Sequence, residues 1–103
     1  MRIEVIADGT ISQQARTYAE YRVFAALTQS SQADTVRRVR ILLRPVTLGS
    51  GRNDIACTVT VALEGSESYR IRTTGPHSYA AINRAVERMR TNSTTTMVDR
   101  ISV

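Results

Sequence analysis

The chain has 103 residues, of which 42% are hydrophobic and five are aromatic (four tyrosines and one phenylalanine). This length and apolar fraction favour one folded domain and exclude a largely disordered chain, and since no apolar run is long enough to cross a bilayer, we expect a cytoplasmic protein with no membrane partner. All fourteen basic residues are arginine, and the net charge of +5 favours a polyanionic partner.

The first predicted strand covers residues 2–7, where polar and apolar side chains alternate. Thr10 and Gln13 have the spacing of a capping box, which predicts a helix from about Ile11 to Thr28. Alanine dominates the apolar stripe of this helix, which favours close packing against a sheet. The stripe consists of Ala15, Tyr18, Ala19, Val23 and Ala26.

Three more strands are predicted, over residues 35–46, 55–63 and 69–74, separated by glycine-containing segments. Alternation assigns one face of each strand to the core. These inward residues are Val39, Ile41 and Leu43, then Ile55, Cys57, Val59, Val61 and Leu63, and finally Tyr69, Ile71 and Thr73.

A second helix is predicted from about Ser78 to Arg90, immediately after Gly75-Pro76. Its apolar stripe consists of Tyr79, Ile82, Val86 and Met89. Residues 91–103 are rich in threonine and lack periodicity, so they are predicted to form a mobile tail on a folded domain of residues 1–90.

The element order β-α-β-β-β-α predicts an α+β fold of two layers, a four-stranded mixed sheet with both helices on one face. The first two strands are joined by a helix and should therefore be parallel, through a right-handed crossover. The remaining strands should form an antiparallel meander. The other face of the sheet is then open to water.

Catalysis and metal binding have little support in the sequence. His77 is the only histidine and Cys57 the only cysteine, and neither has a partner at the spacing of a nucleophile–base pair or a metal cluster. Gly49-Ser50-Gly51 lacks the lysine of a phosphate-binding loop. We therefore predict a protein that is not an enzyme and uses no cofactor, metal or small-molecule substrate. His77 is expected to start the second helix, and Cys57 to be an inert core thiol.

Eight arginines are the candidate RNA-binding residues. They are Arg38, Arg40, Arg70 and Arg72 on the open face of the sheet, Arg22 on the first helix, and Arg84, Arg88 and Arg90 on the second. The alternative is that these arginines only cover a solvated surface. The open face has no aromatic side chains for base stacking, which favours recognition of RNA shape and phosphates.

The start of the second helix resembles that of the ribosome hibernation-promoting factors, a family that includes ribosome-associated inhibitors and sigma-54 modulation proteins. The similar residues are Gly75-Pro76-His77-Ser78-Tyr79-Ala80-Ala81-Ile82 and Arg88-Met89. In the first helix, Ile11-Ser12, Tyr18, Glu20 and Arg22 are also similar to the family. The resemblance covers about residues 1–90 and extends to the order of helices and strands.

The resemblance implies a short-form stress or stationary-phase factor that lies in the decoding channel of the small ribosomal subunit. There it would contact 16S rRNA through basic side chains and block messenger and transfer RNA. By position, Arg22 and Arg88 match basic residues of the family, and Arg84 and Arg90 are neighbours of such positions. The expected state is a monomer or a weak dimer.

Two alternatives remain open from the sequence. One is a protein–protein adaptor or assembly domain that keeps this fold without binding the ribosome and uses the open sheet face or an edge strand. The other is a small enzyme such as an acylphosphatase, whose element order β-α-β-β-α-β differs from the order predicted here.

Overall fold

The structure, a computed structural model, describes residues 1–30, 33–65 and 67–95, with the backbone alone for residues 92–95. Its elements are β1 (Arg2–Ala7), α1 (Gln13–Thr28), a 3-10 turn (Ala33–Thr35), β2 (Val36–Thr47), β3 (Asn53–Leu63), β4 (Ser68–Gly75) and α2 (Ser78–Thr95). This order confirms the predicted α+β fold.

The four strands form one sheet in the order β1-β2-β3-β4. β1 is parallel to β2, as the helical crossover requires. β2, β3 and β4 form the predicted antiparallel meander, in which Ile41 lies opposite Val59 and Val59 opposite Ile71. Both outer strands, β1 and β4, therefore have one side without a strand neighbour.

The core lies between the sheet and the two helices. The predicted inward residues of β2 and β3 are buried, apart from Ile55, which is half-buried. Alanines on α1 allow this helix to approach the sheet closely, and Ala19 has no exposed surface. Thr73 is a buried polar residue at the interface with α2, where its hydroxyl donates a hydrogen bond to the carbonyl of Ala81 at 2.7 Å.

The start of α1 differs from the sequence prediction. The helix begins at Gln13, and Ser12 is its N-cap, with a side-chain oxygen that accepts a hydrogen bond from the Ala15 N–H at 3.1 Å. Thr10 instead donates its backbone N–H and its hydroxyl to the carboxylate of Asp8, both at 2.8 Å. These two hydrogen bonds lower the pKa of Asp8. The predicted capping box of Thr10 and Gln13 is therefore wrong, because the nearer carboxylate binds Thr10.

The second helix is longer than predicted and continues to Thr95 instead of ending near Arg90. The part of the predicted tail that covers residues 96–103 lies outside the described residues. Tyr79 was predicted to face the core, but 38% of it is exposed. Its ring packs edge-on against Tyr18, with 4.9 Å between the ring centroids, and so contributes to the contact between the two helices.

Candidate nucleic-acid interface

The predicted strand faces place four of the candidate arginines correctly. Arg38 and Arg40 on β2, and Arg70 and Arg72 on β4, are exposed and alternate with buried neighbours. Because successive side chains of a strand point to opposite faces, all four lie on the open face, away from the helices.

β3 separates the two pairs of arginines. Arg40 lies opposite Thr60, and Thr60 lies opposite Arg70. Neighbouring strands are about 4.8 Å apart, so the β2 and β4 backbones that carry these arginines are about 10 Å apart. The side chains of β3 between them are small: Ala56, Thr58, Thr60 and Ala62. The open face is therefore a shallow surface between two columns of positive charge.

The helix arginines Arg84 and Arg88 reach the free side of β4. A terminal nitrogen of Arg84 donates to the backbone carbonyl of Thr74 at 2.7 Å. Arg88 approaches the carbonyl of Arg72 at 3.5 Å, the long limit for a hydrogen bond. We call the set Arg70, Arg72, Arg84 and Arg88 the β4 arginine edge, because it unites side chains from both layers along one edge of the molecule.

The two remaining helix candidates have other surroundings. Arg22 is half-buried, with its guanidinium 5.9 Å from the centre of the Tyr18 ring. Its Nε is buried without a hydrogen-bond partner among the described residues. Arg90 is exposed on α2, beyond Arg88. Tyr18 and Arg22 are four residues apart on α1 and therefore share a helix face, and this spacing gives Arg22 a cation–π contact.

One acidic side chain, that of Glu4, reduces the positive charge at one position of the open face. Glu4 on β1 lies opposite Arg40 and approaches its Nε at 3.5 Å, with about half of each side chain exposed. An exposed ion pair of this kind contributes about 0–1 kcal/mol to stability. Its larger effect is to lower the net charge at Arg40, whereas no such pair is formed at the β4 arginine edge among the described residues.

The groups considered for chemistry have structural roles. The Nδ1 atom of His77 accepts a hydrogen bond from the Ala80 N–H at 3.2 Å, which confirms the prediction that His77 starts α2. Cys57 is fully buried, and burial raises the pKa of its thiol to about 12. Within residues 1–30, 33–65 and 67–95, no three His, Cys, Asp or Glu side chains group in a way that could hold a metal ion.

Over the same ranges, no helix has the length and apolar character needed to span a membrane.

The fold is similar to two solved structures from bacteria. The N-terminal domain of Protein Y from Thermus thermophilus is 26% identical, with a TM-score of 0.67, over 92% of this chain and 98% of that chain. A ribosomal subunit interface protein from Coxiella burnetii is 18% identical, with a TM-score of 0.71, over 92% of this chain and 96% of that chain, and this likeness concerns the fold alone.

No family model and no curated protein matches the sequence. The similarity to the Protein Y domain is consistent with the hibernation-promoting factor family, so the resemblance predicted from the sequence is confirmed.

Proposed function

We propose that this protein binds the small ribosomal subunit and inhibits translation by occupying the decoding channel, as the hibernation-promoting factors do. The observation that carries the proposal is the similarity to the Protein Y domain, which extends over almost the whole of both chains. A shared fold alone does not determine function. The distribution of arginines provides the second, independent support.

The β4 arginine edge has the properties of a phosphate-binding surface. Arg70 and Arg72 extend from the sheet, while Arg84 and Arg88 extend from α2 toward the same strand. Guanidinium groups bind phosphate oxygens through two parallel hydrogen bonds. Side chains from two layers can contact phosphates on both sides of one edge, which suits a folded RNA surface better than a single extended strand.

Arg84 is oriented before any RNA is bound. One terminal nitrogen is committed to the Thr74 carbonyl, and the guanidinium retains other N–H groups that can contact a phosphate. A side chain that is already ordered loses less conformational entropy on binding. We infer that Arg84 contributes more to affinity than an arginine without such a contact.

Inhibition by this mechanism requires binding and no chemical step. A domain whose α2 and sheet edge lie against 16S rRNA would exclude messenger and transfer RNA by its volume. The affinity would come mainly from the release of counterions as arginines neutralise phosphates, and it should fall steeply as salt rises.

The proposal is tested by co-sedimentation of the protein with purified ribosomal subunits across a salt series. We expect binding to the small subunit, and the double variant Arg84→Glu, Arg88→Glu should abolish it. The matched control is Arg38→Glu, Arg40→Glu, which makes the same charge change on β2. Thermal unfolding of both variants establishes that each one is folded.

Each result has a distinct meaning. Binding lost in the α2 variant and retained in the β2 control supports the β4 arginine edge. Binding lost only in the β2 control would mean that the interface lies on the β2 side of the open face and that the assignment to α2 is wrong. Wild-type protein that does not bind at low salt would overturn the proposed function itself.

A protein–protein adaptor is the second candidate, and one observation favours it. Large apolar side chains are exposed beside β1, among them Tyr21 and Phe24 on α1. An adaptor would bind a protein partner through this surface, with little dependence on salt. Charge reversal at Arg84 and Arg88 would leave that binding unchanged.

A further inference from the structure

The exposed apolar side chains of this protein are concentrated on one side. Among the described residues, the large apolar side chains that are exposed are Met1, Ile6, Tyr21, Phe24 and Tyr79. The first two are at β1, and Tyr21 and Phe24 lie on α1. A groove of about 440 Å³ runs between these two elements and is lined by Met1, Ile3, Thr17, Glu20, Tyr21 and Phe24. Contiguous apolar surface of this kind marks an interaction site more often than scattered residues do.

The groove lies beside the free edge of β1. The Asp8 N–H, just past β1, donates to Leu43 of β2 at 3.1 Å. Backbone groups alternate in direction along a strand, so Glu4 and Ile6 also direct their N–H and C=O groups toward β2. Ile3, Val5 and Ala7 therefore direct theirs outward. Arg16 approaches the Ala7 carbonyl at 3.5 Å, which leaves Ile3 and Val5 as the open part of the edge.

A second copy of the chain can pair with this edge in antiparallel orientation about a twofold axis. If Ile3 lies opposite Ile3 of the other copy, Arg2 lies opposite Glu4 in both directions. If the partner strand slides by two residues, Glu4 lies opposite Glu4. A further slide by two residues would require the backbone of Ala7, where Arg16 already lies. Opposite charges on facing strands stabilise a pair, and like charges destabilise it. Charge therefore selects the first register.

We propose that two copies of this protein associate through β1, so that their sheets become continuous and the groove between β1 and α1 is closed by its counterpart. In this dimer Ile3 meets Ile3, and Tyr21 and Phe24 of one copy face the same residues of the other. Both salt bridges between Arg2 and Glu4 lie on the open face. The β4 arginine edge is at the opposite side of each sheet, so dimerisation leaves it accessible.

The contact is small, since each copy contributes one six-residue strand and one helix face. Stable interfaces bury about 800 Å² on each partner, so we expect a concentration-dependent dimer of low affinity. Sedimentation equilibrium of the full chain, without ribosomes, measures it directly. The weight-average mass should rise toward twice the monomer mass as the concentration approaches about 100 μM, a range that detects micromolar dissociation constants.

Charge reversal tests the register. Arg2→Glu and Glu4→Arg should each weaken self-association by about tenfold or more, because each variant opposes like charges twice. An equimolar mixture of the two variants should associate again, since every facing pair is then of opposite charge. Tyr21→Asp should also weaken the dimer, and Tyr21 is exposed enough for folding to tolerate the change. Arg70→Glu, a charge reversal on β4, is the matched control and should leave self-association unchanged.

A full chain that remains monomeric at every concentration would overturn the proposal. So would a dimer that Arg70→Glu disrupts and Glu4→Arg does not. If removal of residues 96–103 converts a monomer into a dimer, that segment of the same chain occupies the edge, and a second copy does not. These results are independent of ribosome binding and can be distinguished from a failure of the proposed function.

Discussion

Gly75 lies against the first turns of α2, where a Cβ added to it would be 2.8 Å from the backbone nitrogen of Ala81 and 2.9 Å from the Cβ of Ala80. Real Cβ atoms essentially never approach this closely, so any side chain at Gly75 must push the helix away from β4. The same interface contains the buried hydrogen bond from Thr73 to the Ala81 carbonyl. The glycine before α2 is therefore required by close packing.

Gly75→Ala should lower the free energy of unfolding by about 1–3 kcal/mol, the cost of inserting a methyl group into a packed contact. Urea denaturation measures the change. The matched control is Gly49→Ala, because a Cβ added at Gly49 meets no atom within 4 Å, and we expect a change within about 0.5 kcal/mol. Equal losses in the two variants would show that the contact with α2 is not the cause.

Ser12→Ala should destabilise the protein by about 1 kcal/mol, because it removes the side-chain acceptor for the Ala15 N–H at the start of α1. The comparison variant is Thr10→Val, which removes an exposed hydroxyl that binds Asp8 instead of the helix. We expect a smaller loss there, measured in the same urea titration. A larger loss of unfolding free energy for Thr10→Val than for Ser12→Ala would favour Thr10 as the cap, as the sequence predicts.

Cys57 should react very slowly with a maleimide reagent in the folded protein. The thiol is fully buried, and burial raises its pKa to about 12, so almost no thiolate is present at neutral pH. Mass spectrometry measures the rate of labelling. In denaturant the thiol is exposed and labelling should be fast, whereas without denaturant the rate should be limited by how often the folded protein opens. Fast labelling of the native state would mean that the β3 position is accessible.

Stability should decline as the pH rises through about 8.5–9, the range in which cysteine thiols of an unfolded chain ionise. Burial raises the pKa of Cys57 from 9.0 to about 12, and burial also raises the pKa of Tyr69. Between the unfolded and the folded pKa, the unfolded chain loses protons that the folded chain retains, so alkaline pH favours unfolding. Free energies of unfolding measured from neutral to alkaline pH should show this slope.

The variant Cys57→Val removes the thiol contribution and should make the alkaline slope shallower. Tyr69→Phe should do the same for the phenol. If both variants retain the wild-type slope, other groups determine the alkaline behaviour.

Much of the fold follows from the sequence because a strand has a period of two residues. In β2, Val39 and Ile41 alternate with arginines, and that pattern alone assigns both faces of the strand correctly. The N-cap of α1 was harder to predict from the sequence, since Thr10 and Ser12 are both good cap residues. The choice between them depends on Asp8, whose carboxylate binds Thr10.

The candidate interface could be predicted only in part. Sequence spacing places Arg84 and Arg88 on one face of α2 and Arg70 and Arg72 on one face of β4. It does not show that the two sets meet. Their meeting depends on how α2 crosses the edge of the sheet and on the long side chain of Arg84, which reaches a carbonyl ten residues earlier in the chain.

The connection between β1 and β2 has a consequence for the order of folding. β2, β3 and β4 are joined by short turns, whereas β1 pairs with β2 only after the chain has passed through α1. Closing the longer loop costs more entropy, so we expect β1 to dock after the meander has formed. Until then β2, with Val39, Ile41 and Leu43, is an unprotected edge strand, and it is during this interval that a newly synthesised chain is most prone to aggregate.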